Sequence, residues 1–178
     1  MPLARIALIA HVALLSISPV SAVAEAAAFD RRTPESALKT FLPDAHREID
    51  RFAIRVEALE IRVNRCAPPD QGEREDLFHI WIGVRGIAPA GATSALTELR
   101  ADWQAIGLHE KRFRRLGNGG INLAAIDPLT GNSFSFDSGF PADPDRYIVG
   151  YLVTPCFQSP AGPVAFGPVE ISGEEWGN

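Results

Sequence analysis

Three groups of residues carry side chains that could do chemistry. The first is built from arginine. The segment AHREIDRFAIRVEALEIRVNR (45–65) reads as a helix, because residues 49, 52, 56, 59 and 63 are apolar and recur at helical spacing. At about 100° per residue, Arg47, Arg51, Arg55, Arg62 and Arg65 then share a sector about 80° wide, away from the apolar stripe. Guanidinium groups grip carboxylate and phosphate oxygens bidentately. Such a ridge would take an anionic small molecule, an acidic polymer or an acidic protein. With Glu48, Asp50 and Glu57 beside it, the same ridge also reads as an ordinary solvated helix face. The second group is His79 and Trp81. In LFHIWIGV they alternate with Phe78, Ile80 and Ile82, which predicts a strand with both on the face opposite the core. They would line a binding groove there, or sit satisfied beneath a covering loop. The third is the pair Cys66 and Cys156.

Catalytic and metal patterns are sparse. There is no G-x-S-x-G and no H-E-x-x-H, and His46, His79 and His109 are scattered. No catalytic residue, cofactor or metal site is assigned. The cysteines lie too far apart for a C-x-x-C redox motif or a zinc cluster. A second basic run, Lys111-Arg112-Phe113-Arg114-Arg115, splits between two strand faces; if Phe113 points inward, Arg112 and Arg114 share the other face. It also reads as an edge strand guarded by charge. GNGG reads as a hairpin turn. Asp127, Asp137, Asp143 and Asp145 fall in or beside turns, where Asp bonds its own backbone.

The elements that must position these groups follow from periodicity and breakers. Residues 1–24 have the form of a secretory signal: Arg5, an apolar stretch, then Ala22-Val23-Ala24. Residues 25–43 read as a leader and a short helical turn opened by Thr33-Pro34. Residues 44–157 read as a single domain, with a long helix capped by Asp44, a strand from 77, a second helix opened by Thr93 or Ser94 and closed by Gly107, and then strands joined by hairpin turns. The order is α-β-α-β-β-β-β. It predicts an α+β fold with two helices on one face of an antiparallel sheet of about five strands. Residues 158–178 form a Pro/Gly-rich tail expected to lie over the surface.

Composition bounds the rest. The formal charge is −5, and one unit more negative without Arg5, which argues against nucleic acid as a partner. Fifteen arginines against Lys39 and Lys111 fit a GC-rich bacterial genome. In an exported chain two cysteines make one disulfide most simply. It would pin the end of the long helix to the sheet at the end of the last strand.

An exported leader, a helix ending in Cys66, a strand, a second helix, hairpins and a last strand ending TPCF resemble the small actinobacterial envelope proteins of the LppA type. The likeness rests on Cys66, Cys156, Phe157 and the order of elements across roughly residues 44–157. It implies an envelope or secreted location and an α+β sandwich, and carries over no catalytic residue. The chain departs from those lipoproteins in lacking a lipidation cysteine.

The expectation is a monomeric exported protein, secreted, periplasmic or envelope-associated, that acts by binding through the arginine ridge or the His79/Trp81 face. One alternative is a small secreted hydrolase using His79 with an acid from the late loops. Another is a structural or inhibitory protein acting through its C-terminal tail.

Overall fold

A computed structural model describes residues 29–51, 55–66, 75–140, 143 and 145–160. Residues 1–24, read as a secretory signal from the sequence, and most of those read as leader and tail lie outside the described residues. The elements run α1 (Pro34–Asp50), β1 (Arg55–Arg65), β2 (Leu77–Ile87), α2 (Ala92–Ala105), β3 (His109–Arg115), β4 (Ile121–Ile126), β5 (Ser133–Asp137), β6 (Tyr147–Val153) and β7 (Phe157–Gln158). The α+β class, the two helices and the antiparallel sheet are as expected, with more strands than about five. The sheet order is β1-β2-β6-β5-β4-β3, and β7 pairs with the beginning of β2.

The extra strands are the short β7 and β1, and β1 corrects the long helix. Thr33 caps α1, accepting from the Ser36 amide at 3.2 Å, and Pro34 sits in the first turn. The helix then runs straight through Pro43, where the sequence suggested a break. Proline removes one internal hydrogen bond, but Ala37, Leu38, Phe41, Ala45 and Ile49 make one buried stripe across it. Packing of that stripe outweighs the local defect. Beyond Asp50 the chain turns extended. Leu59-Glu60-Ile61-Arg62-Val63-Asn64 alternates with period two as cleanly as the wider segment fits period 3.6. Ile61 decides between them: a helix would set it about 170° from the apolar stripe, whereas the strand buries it to 3 % exposure, with Val63 at 4 %. Cys66 therefore follows a strand rather than a helix.

Both helices lie on one face of the sheet. Ile61 and Val63 of β1, Phe78, Ile80, Ile82 and Val84 of β2, Ile148 and Leu152 of β6, Phe134 and Phe136 of β5, and Ile121 and Leu123 of β4 form the core with them. Trp103 of α2 sits at its centre, with ring centroids 6.2 Å from Phe134 and 5.9 Å from Phe136. Its indole N–H donates to Glu48 Oε2 of α1 at 2.7 Å, and Glu48 is 1 % exposed. The carboxylate also accepts from Arg51 Nε at 3.2 Å and Arg47 Nε at 3.3 Å. A buried charge held this way ties the two helices together.

Cys66 and Cys156 are disulfide-bonded, with Cα atoms 6.0 Å apart and 90 residues between them in sequence. The link joins the end of β1 to the step between β6 and β7, and on a loop-entropy model it contributes about 4–5 kcal/mol. Among the described residues no helix is long and apolar enough to cross a membrane.

Candidate functional site: the uncovered sheet face

The second face of the sheet carries no helix or strand among the described residues. Alternation along β2 places His79, Trp81 and Arg85 on it, as the sequence predicted for the first two. The β1 register sets Asn64 opposite His79, Arg62 opposite Trp81, Glu60 opposite Gly83 and Ala58 opposite Arg85. On the other side β6 sets Val153 opposite Trp81, Tyr151 opposite Gly83 and Val149 opposite Arg85.

Trp81 does not stand up from this face. Its ring leans along β2 over Gly83, where an added Cβ would overlap Cη2, Cζ2 and Cζ3 of the indole. Glycine is required here for the ring to lie down. Tyr151, 39 % exposed, has its ring centroid 5.6 Å from that of Trp81 at an interplanar angle of 32°. The Arg62 guanidinium lies 5.6 Å from the indole centroid on the β1 side, in range of a cation–π contact. Two shallow cavities run along the face and share Arg85 and Val149. One of about 240 Å³ is lined by Trp81, Gly83 and Tyr151 among others, and one of about 290 Å³ by Glu57, Phe140 and Tyr147. The product is a flat aromatic floor bordered by guanidinium groups.

The charges on this face are partly paired. Arg62 Nε donates to Glu60 Oε1 at 2.6 Å, and Glu57 lies 3.6 Å from Arg55 and 3.9 Å from Arg85. These groups are largely exposed, so each pair is weak and open to exchange for a ligand carboxylate. At the far edge Arg112 and Arg114 do share this face, since Phe113 turns inward opposite Leu123 under the Arg100 guanidinium, 3.9 Å away. Arg112 donates to Ser135 Oγ at 3.2 Å. Beside them Asn122 bonds Asp137, whose carboxyl is pushed above the usual carboxylate range by burial, against the opposing pull of Arg112.

The five-arginine ridge is not brought together. Arg47 and Arg51 belong to the end of α1, on the helix-covered side, and hold Glu48. Arg55 and Arg62 lie on the open face of β1, while Arg65 pairs in register with Phe78 on the core side. The physical reason is that α1 ends at Asp50 and β1 begins at Arg55, which replaces one 100° screw by two elements with different faces.

His79 is half-buried against the disulfide, with Nδ1 3.2 Å from Cys66 Sγ. Burial holds its pKa below the ordinary value. The late acids do not converge on it. Asp127 caps its own turn, accepting from the Leu129 amide and the Thr130 hydroxyl at 2.9 and 2.8 Å. Asp145 accepts from the Thr93 amide at 2.8 Å at the start of α2, and that bond holds its pKa down. Asp137 sits opposite Val149, itself opposite Arg85, so it is displaced from His79 by six strand positions, about 20 Å. Among the described residues no group of three or more His, Cys, Asp or Glu is placed to hold a metal ion.

Sequence reasoning missed Tyr151, Gly83 and Glu48. Tyr147, Val149 and Tyr151 alternate with Ile148, Gly150 and Leu152, which is the signal that would have placed the two tyrosines beside Trp81. Glu48 falls one helical turn beyond Phe41 and Ala45 on the inward stripe, a position that demands a buried partner for any charged residue. Compared with known protein families, curated proteins and solved structures, the chain matches none.

Proposed function

We propose that the protein is an exported binding protein whose ligand lies across the uncovered sheet face, and that the ligand is an extended peptide segment carrying acidic and apolar side chains. The observation that carries this reading is the Trp81 ring laid over Gly83, beside Tyr151 and the Arg62 guanidinium, on a face that carries no helix or strand among the described residues. A solvated sheet face is ordinarily polar. Aromatic and arginine side chains placed together at the centre of one are the composition of binding hot spots. A flat floor with guanidinium on its border suits apolar side chains flanked by carboxylates. The Cys66–Cys156 bond and the residue 1–24 leader support export, and the LppA-type likeness supports an envelope or secreted setting. The hydrolase alternative loses support, because Asp127, Asp137 and Asp145 are engaged away from His79.

The test is titration with an acetylated, amidated peptide alternating Glu and Phe, followed by calorimetry. Binding is expected to weaken with salt, and about tenfold in Trp81→Ala and in Arg62→Gln with Arg85→Gln, the loss of one to two hot-spot contacts. Binding that ignores these substitutions, or a neutral oligosaccharide binding in place of the peptide, would overturn the reading.

A further inference from the structure

The chain itself contains a segment of the chemistry this face fits. Residues 161–178, AGPVAFGPVEISGEEWGN, carry Val164, Phe166, Val169, Ile171 and Trp176 with Glu170, Glu174 and Glu175, and no basic residue. The open face has the opposite balance: Arg55, Arg62, Arg85 and Arg146 around Trp81 and Tyr147, against Glu57 and Glu60. On an acidic protein this is a local excess of arginine, and Arg112 and Arg114 continue it at the far edge of the face.

The place where the described chain ends also fits. Gln158 pairs with Leu77 at the beginning of β2, and the Ser159 amide donates to Asp76 O at 3.0 Å. From Leu77 to Trp81 is four strand positions, about 14 Å. An extended segment of this length spans up to about 60 Å, and Gly162-Pro163 and Gly167-Pro168 are turn-favouring dipeptides in the sequence. Resting on the reading that this face binds acidic, apolar peptide, we infer that residues 161–178 fold back across it as its intramolecular occupant, with the three glutamates toward the Arg62 and Arg85 guanidinia and the apolar residues on the Trp81–Tyr151 floor. An external ligand then binds by displacing the tail.

The experiment uses the full chain and measures chymotryptic cleavage after Phe166 by mass spectrometry. The wild type is expected to be cut slowly at low salt and faster as salt rises, since the pairing is electrostatic. Arg62→Glu with Arg85→Glu is expected to speed cleavage about tenfold, and adding Glu170→Arg, Glu174→Arg and Glu175→Arg to that protein should restore protection, the tethered segment sensing the face at high effective concentration. The wild-type salt series needs no variant and stands if the substituted proteins misfold. Cleavage as fast as in urea, or protection unaffected by the arginine reversals, would overturn the inference, and so would protection that grows with protein concentration, which would place the tail on a second copy. The Glu/Phe peptide separates the two proposals. Tail glutamate reversal alone should tighten its binding about tenfold by removing the competitor. Equal binding to both proteins with a freely cut tail sinks the inference and leaves the face a peptide site. Binding to neither sinks the site itself.

Discussion

The two faces of one sheet use the same residue types to opposite ends. On the covered face Phe134, Phe136 and Trp103 are packed to 2 % exposure or less, and the Trp103 N–H is met by Glu48. On the open face Trp81 and Tyr151 lie beside arginines whose partners are exposed carboxylates. Aromatic burial on the first face holds the fold; on the second it leaves adaptable contact surface. The difference teaches that strand alternation alone sorts side chains to faces, whereas what is stacked over each face decides whether they are packed away or left open for the binding proposed above.

The sharpest way to break that distinction is to truncate one ring on each side. Phe136→Ala should lower stability by about 3–5 kcal/mol, the ordinary range for a buried phenylalanine. Trp81→Ala should cost only about 1 kcal/mol, since its ring is open to water on one side. Urea midpoints with unchanged slopes measure both. Equal losses would mean that Trp81 is a core residue and the open face is not a site. Next in size is Glu48→Ala, which strands a buried indole N–H and should cost about 2–3 kcal/mol. Glu48→Gln keeps an acceptor for Trp103 and should recover part of that. If both variants were as stable as the wild type, the α1–α2 tie would be dispensable.

Two glycines sharpen the comparison further. Gly150 lies beneath Phe136 on the covered face, and Gly83 beneath Trp81 on the open one; an added Cβ would overlap the ring in each case. Phe136 is fully buried with Trp103 5.9 Å away, so it has nowhere to go, and Gly150→Ala should cost about 1–3 kcal/mol as overpacking. Trp81 can swing outward, so Gly83→Ala should cost under about 1 kcal/mol yet weaken peptide binding as Trp81→Ala does. A Gly83→Ala protein that binds normally would show that the flat placement of the ring is irrelevant to binding.

What was legible in the sequence tracks how many periods a segment satisfies. In β2 and β6 only period two fits, so the faces of His79, Trp81 and the core residues could be read directly. In residues 55–65 both periods fit, and the helical one is favoured because the apolar residues 49, 52, 56, 59 and 63 recur at helical spacing across the longer segment. Register with β2 was needed to show otherwise. Pro43 misled in the reverse sense, since a continuous buried stripe carried α1 across a residue that breaks helices locally. The disulfide was legible from export and an even count, because neither depends on secondary structure. Glu48 was not, because a charged side chain in a helix reads as exposed until a partner such as Trp103 is seen.

The smallest effect concerns His79, the one titratable group of the open face in contact with the disulfide. Burial lowers its folded pKa below the unfolded value near 6.5. The folded state therefore binds the proton less well than the unfolded chain. The sign follows: the contribution is fully present above the unfolded pKa and is lost as pH falls from there through the folded pKa. Wild-type urea midpoints should accordingly fall from pH 7.5 to pH 5, and part of that fall should vanish in His79→Gln. Asp145, whose pKa is held down by the Thr93 amide, loses its contribution only at lower pH, near and below the ordinary carboxylate range, so the two do not overlap in this window. Should His79→Gln leave the slope between pH 7.5 and 5 unchanged, the ring is solvated rather than packed on Cys66. It would then belong with Trp81 and Arg62 as open binding surface, and the border between the two roles would move to the disulfide itself.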